Sequence, residues 1–156
     1  KDFGVPQNRE RVYIVCFRED IDFEFPVGDK KSKVGDILDK VIDSKTIISD
    51  RLWEGHQRRL AEHKEKGNGF GYRIFDEESE YTSTLSARYY KDGSEILIRR
   101  NGNPRKLSVR ECARLQGFPE DFLIGVSDTQ AYKQFGNSVC VPVIEAIAKK
   151  VKLSLK

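Results

Sequence analysis

The order of elements constrains this chain most. One run rich in β-branched and aromatic residues, Arg11 to Phe17 (RVYIVCF), stands near the start and predicts a buried strand. A long middle follows that is rich in glycine, aromatic and charged residues and poor in apolar runs. The last third is helical in pattern. Strand, irregular middle, then helices predicts an α+β fold. The middle reads as a small lobe inserted between two pieces of one core.

Within the middle, Val34 to Ile42 predicts a short helix with Ile37, Leu38 and Val41 on one face. Ser49 to Lys66 predicts a longer one, carrying Leu52, Trp53, His56 and Leu60 at helical spacing. Gly67-Asn68-Gly69-Phe70-Gly71 ends it. Strand-like pieces follow at 72–75 and 81–85. Arg88-Tyr89-Tyr90, the turn at Lys91-Asp92-Gly93-Ser94 and Glu95-Ile96-Leu97-Ile98 predict a hairpin, since Asp-Gly supplies positive φ. Further on, Ser108-Val109-Arg110-Glu111 is a capping box that opens a helix stopping near Gly117. Asp128 is expected to cap a helix ending at Gly136. Pro142 suits the first turn of the last helix, whose apolar stripe is Val143, Ile144, Ile147 and Val151.

Composition narrows the function. The chain has 156 residues, 34% of them charged, against roughly 25% in typical globular proteins. Its net charge of +3 excludes a histone-like polycation and still permits one basic face. No apolar run approaches a membrane span and no signal peptide is visible, so no membrane role is expected. The three cysteines, Cys16, Cys112 and Cys140, are odd in number and widely spaced, which argues against disulfides and a zinc knuckle. No metal is expected, and a reducing, cytoplasmic setting is the simplest reading. There is no Met, even at position 1, and the chain opens abruptly at Lys1-Asp2-Phe3-Gly4, so a piece of something larger is expected.

Three segments carry candidate chemistry. Pro6-Gln7-Asn8-Arg9-Glu10-Arg11 places two arginines where they could hold a phosphate or carboxylate. A solvated loop is the plain alternative. Gly136-Asn137-Ser138-Val139 could bring backbone and an amide close to a ligand, or could simply turn between helices. The middle presents Asn68, Arg73, Arg88, Tyr89, Tyr90 and Lys91, residue types that read base edges, hold phosphates or stack. Gly67-x-Gly69-x-Gly71 is not a dinucleotide turn, because a helical segment precedes it and a strand follows. No cysteine has a partner base. Cys16 and Cys112 are expected to be buried packing residues, while a position near a helix N-terminus could lower the Cys140 pKa.

These segments resemble motifs of the DNA cytosine-5 methyltransferases. Gln7-Asn8-Arg9-Glu10-Arg11-Val12-Tyr13 looks like the motif before a late core strand. Arg105 to Pro119 (RKLSVRECARLQGFP) resembles the penultimate motif, and Ala131 to Val139 the last one. The gap between the first two is where that family carries its target-recognition domain. Gly67 to Tyr72 and Thr84 to Gly93 resemble the recognition domain of bacterial enzymes acting on the inner cytosine of CCWGG or CCNGG.

The resemblance implies a fold. It would be a mixed target-recognition lobe over 21–104, plus the strand (1–20) and helix (105–156) remnant of a Rossmann-like methyltransferase core. It implies a restriction-modification enzyme that transfers methyl from S-adenosylmethionine to cytosine in a specific duplex site. By resemblance, Arg11 approaches the flipped cytosine, and Arg9 and Gln7 support the catalytic pocket. Asn137, Ser138 and Val139 close over the cofactor, and Thr84 lies near the target phosphate. The segment 105–119 orients the recognition domain. Arg73, Arg88, Tyr89, Lys91 and Asn68 are added as DNA contacts on residue type alone. The family's cofactor loop, its Pro-Cys nucleophile loop and its Glu-Asn-Val motif have no counterpart in this sequence. That nucleophile adds to the flipped base. The chain alone is therefore expected to be inactive, and to work with an N-terminal catalytic half, in one chain or as a separate subunit. The alternative is a non-catalytic, sequence-specific DNA-binding module.

Overall fold

The computed structural model describes residues 1–69 and 71–155. Phe70, within the glycine-rich stretch, lies outside the described residues. Five α-helices, two short 3-10 turns and three two-residue strands are described. Helix α1 (Asp50–Glu65) starts where Ser49 accepts from Leu52 N. Helix α2 is Tyr89–Asp92, α3 is Val109–Leu115, α4 is Asp128–Asn137 and α5 is Val141–Ser154. Strands β1 (Ile74–Phe75), β2 (Leu97–Ile98) and β3 (Arg105–Lys106) form one sheet in that order. The β1–β2 pair is parallel, with Ile74 opposite Leu97. The β2–β3 pair is antiparallel, with Leu97 opposite Lys106.

One hydrophobic cluster joins the middle of the chain to its end. Val34, Ile37, Leu85, Tyr89, Ile96 and Ile98 pack with Leu107, Cys112, Ala113, Leu115, Ala131, Tyr132 and Phe135. The middle therefore shares its core with α3 and α4 rather than enclosing one of its own. Tyr89 lies at the centre. Its hydroxyl donates to Ile96 O at 2.7 Å and accepts from Leu107 N at 2.7 Å.

Polar clamps hold α3 against the middle. Ser108 and Glu111 form the expected capping box. Glu111, fully buried, also receives both guanidinium nitrogens of Arg105 at 2.7 Å each, and Asp39 N at 2.8 Å. A buried carboxylate needs every lone pair occupied, and here it has a bidentate cation and two backbone amides. Arg114 reaches Asp39 at 2.7 Å and Ile37 O at 3.1 Å.

Several sequence expectations change. Arg11 to Phe17 forms no strand; Val12 is 88% exposed, Ile14 81%, and Cys16 is exposed rather than buried. A strand needs a neighbour for its ladder, and among the described residues none pairs with this run. Val34 to Ile42 is only a 3-10 turn, Val34–Ile37, with Val41 exposed. The expected hairpin is instead α2 followed by β2. Gly93 uses its positive φ (65°) to end the helix, while Asp92 accepts from Ser94 N and Oγ. Ser127, not Asp128, is the N-cap of α4, and that helix runs through Asn137. Helix α5 starts as expected around Pro142, yet none of its residues is buried. Its stripe has nothing packed fully over it.

Candidate functional site

The first motif segment is pinned by backbone pairing. Asn8 N donates to Thr82 O at 3.0 Å, and Thr82 N donates to Pro6 O at 2.8 Å. That pairing turns Gln7 and Arg9 inward. Gln7 is buried. Its amide nitrogen donates to Leu115 O at 3.2 Å and to Gln116 Oε1 at 3.3 Å, and its oxygen accepts from Leu85 N at 2.8 Å. Gln116 in turn donates to Phe135 O at 2.7 Å.

Arg9 is the junction. Its guanidinium donates to Leu85 O at 2.8 Å, to Gly136 O at 3.0 Å and to Ser138 O at 2.7 Å. Segments around residues 9, 85 and 136–138, far apart in sequence, meet on one side chain. Burial and the neighbouring Arg11 charge pull the Arg9 pKa below its ordinary high value. Its terminal donors are committed to carbonyls, so Arg9 does not make the anion site that its spacing from Arg11 suggested. Gly136 is required at this junction. A Cβ there would stand 2.2 Å from Ser86 O, a backbone atom.

Arg11 stays outside this network. It is exposed, and its guanidinium donates to Glu10 O at 2.6 Å. Thr84 donates its hydroxyl proton to Asn8 O at 2.6 Å, which ties it to the first motif. Asn137 and Val139 are exposed and Ser138 is partly so. Asn137 and Ser138 line an open groove of about 600 Å³ with Phe118, Phe122 and Phe135. An amide and a hydroxyl beside aromatic rings give this open groove both polar and apolar walls.

The residues expected to touch DNA separate into two groups. Arg73, Arg88, Lys91 and Asn68 are exposed. Arg73 approaches Ser83 Oγ at 3.5 Å, and Asn68 Nδ2 approaches His63 Nδ1 at the same distance. Tyr89 is corrected: it is fully buried and both hydroxyl bonds are used, so it is a core residue and cannot reach DNA.

The thiols are not prepared nucleophiles. Cys140 is the N-cap residue of α5, yet burial pushes its pKa up rather than down. Burial pushes Cys112 well up. Gln116 and Glu111 were missed as nodes. The available signal was an amide and a carboxylate set among the apolar residues of α3.

The fold is that of a methyltransferase. A solved Entamoeba histolytica methyltransferase, EhMeth, superposes with a TM-score of 0.72 at 21% identity, covering 99% of this chain and 51% of that one. Sequence gives the family. The model for C-5 cytosine-specific DNA methylases matches residues 1–153, and the chain belongs to that family. It is 63% identical to the type II methyltransferase M1.ScrFI of Lactococcus lactis subsp. cremoris, over 97% of this chain and 41% of the relative. It is 61% identical to M.NlaX of Neisseria lactamica, over 99% of this chain and 50% of the relative. The chain thus spans about two fifths to half the length of these relatives. No helix among the described residues is long and apolar enough to cross a membrane.

Proposed function

We propose that this chain is the target-recognition and pocket-completing part of a type II enzyme that methylates carbon 5 of cytosine in duplex DNA. The observation that supports this reading is the Arg9 junction, which joins the segment before Arg11, the Thr84–Leu85 segment and the Gly136–Ser138 segment. These segments match family motifs for the target base, the target phosphate and the cofactor. S-adenosylmethionine supplies the electrophilic methyl group when bound. This chain's residues then hold and orient. Asn137, Ser138 and Val139 form one wall for the cofactor. Arg11, exposed and beside the junction, is free to swing its guanidinium to an extrahelical cytosine. Gln7 and Arg9 position that segment without touching substrate. Thr84 can exchange its bond to Asn8 O for a phosphate oxygen. Arg73, Arg88, Lys91 and Asn68 face duplex DNA from 21–104, and 105–156 returns to the catalytic core.

The recognised site is of the CCWGG or CCNGG type, on the resemblance of 67–72 and 84–93. The partner is the N-terminal catalytic part of the same enzyme, linked or separate, working in the cytoplasm. Labelled methyl transfer to CCWGG, CCNGG and scrambled duplexes tests this. The chain alone should transfer nothing, and the N-terminal part should restore transfer to the specific duplex. Transfer by the chain alone, or none by the combination, would refute the reading. Arg11→Ala should lower the methylation rate at least tenfold with DNA affinity nearly unchanged. An unaltered rate would remove Arg11 from the pocket.

A further inference from the structure

Between α1, the segment Gly71–Tyr72 and the start of α2 lies a cleft of about 510 Å³. His56, Arg59, His63, Tyr72, Arg88 and Ser94 line it. The lining contains no carboxylate among the described residues. Asp92, bonded to the lining, is already occupied: Arg59 donates to it at 3.1 Å, and Ser94 N and Oγ donate at 3.2 and 3.0 Å. His56, buried beneath the cleft, donates to Asp92 O at 3.3 Å and fixes the end of α2 against α1. Burial lowers the His56 pKa below its ordinary value. Arg59 keeps 47% of its side chain exposed despite the Asp92 bond. The Arg88 guanidinium has no hydrogen-bond or ion-pair partner among the described residues. The cleft thus carries two guanidinium groups that face solvent.

Shape decides which part of DNA such a cleft takes. Base edges lie at the bottom of grooves and are read by elements that protrude, such as a helix or a ribbon. The sugar–phosphate backbone is the ridge of the duplex, and a concave cationic surface receives a ridge. We propose that the Arg59–Arg88 cleft is a DNA backbone-phosphate site that sets the docking position of the recognition lobe and reads no base. The proposal rests on the reading that the enzyme binds duplex DNA. It gives Arg88, so far a DNA contact without a role, the work of positioning, and adds Arg59, which the sequence did not single out.

The test is the salt dependence of binding by the full-length enzyme, measured on specific and scrambled duplexes. Each phosphate contact contributes about 0.9 to the slope of log affinity against log salt, or roughly 3.5-fold between 50 and 200 mM. Arg88→Ala and Arg59→Ala should each lower the slope by about that amount on both duplexes, leaving the ratio between duplexes unchanged. Arg59→Lys should restore the slope, because it keeps the charge. Arg58→Ala, which alters a residue next to Glu62 outside the cleft, should leave it at the wild-type value. Should Arg59→Ala fail to fold, Arg88→Ala decides, since its side chain supports no other group. Wild-type slopes in the variants would overturn the cleft alone. So would an Arg88→Ala loss confined to the specific duplex. Failure of the unaltered enzyme to bind either duplex would overturn the DNA reading together with the cleft.

Discussion

At the scale of the residue, two arginines, one half-buried and one buried, do different work. Arg9 gathers three backbone carbonyls from segments far apart in sequence. Hydrogen bonds to a charged group contribute about 1.5–3 kcal/mol each, and they are not additive. Arg9→Ala should therefore cost about 3 kcal/mol, read from the urea midpoint, and should weaken cofactor and DNA binding together. A loss of only one affinity would show that the junction does not couple its segments. Arg105 is paired, and Glu111→Ala would leave its guanidinium buried without a counter-charge. Removing one partner of such a pair costs about 3–5 kcal/mol. Replacing both Arg105 and Glu111 by apolar residues of similar size should cost less than that single change, which a double-mutant cycle would show. Neither role was written in the sequence as a role. Gln7, Arg9 and Arg11 could be singled out by spacing and resemblance, but which arginine turns inward depends on Thr82 pairing across the chain. Tyr89 misled because its residue type suits both a base stack and a core.

At the scale of the element, local chemistry was legible where one segment contains both partners. The Ser108–Glu111 box and the Ser49 cap lie within four residues of the backbone N–H groups that donate to them, so their helices begin where expected. Arg11 to Phe17 failed because strand identity belongs to a pair, and its pattern names no neighbour. The Asp92-Gly93 turn failed because positive φ serves a helix end as well as a hairpin. Helix α3 is fastened to the 3-10 turn at Val34–Ile37 through Asp39. Burial alone would raise the Asp39 pKa; hydrogen bonds from Arg114 and Ser108 outweigh it and hold it below the ordinary carboxylate value. Its folded value is depressed, so the unfolded state binds more protons in acid. That contribution is complete above the unfolded pKa of about 4 and is lost as pH falls through the folded value. Stability should therefore fall below about pH 4 less steeply in Asp39→Asn than in the unaltered chain, measured by denaturant titration across pH. Gly136→Ala should separate α4 from Ser86–Ala87, because the clash is with backbone that cannot rotate away. The cost should reach about 1–3 kcal/mol, with protection of the α4 amides from exchange reduced.

At the scale of the whole molecule, apolar surface is distributed unevenly. Val12, Ile14, Val139, Leu153 and Leu155 are exposed, and α5 buries no residue. Exposed apolar surface of this extent marks an interface. The isolated chain should bind a hydrophobic dye and self-associate with rising concentration, and the proposed N-terminal catalytic part should suppress both. Dye binding unaltered by that part would place the interface elsewhere. The shared core has a practical meaning for exchanging specificity between related enzymes. A graft cut between residues 104 and 105 would divide β2 from β3, part Tyr89 from Leu107 and take from Glu111 the bond that Asp39 N donates to it. The transferable unit runs on through α4, so a recipient that accepts a new reading surface must also accept the donor's helices behind it.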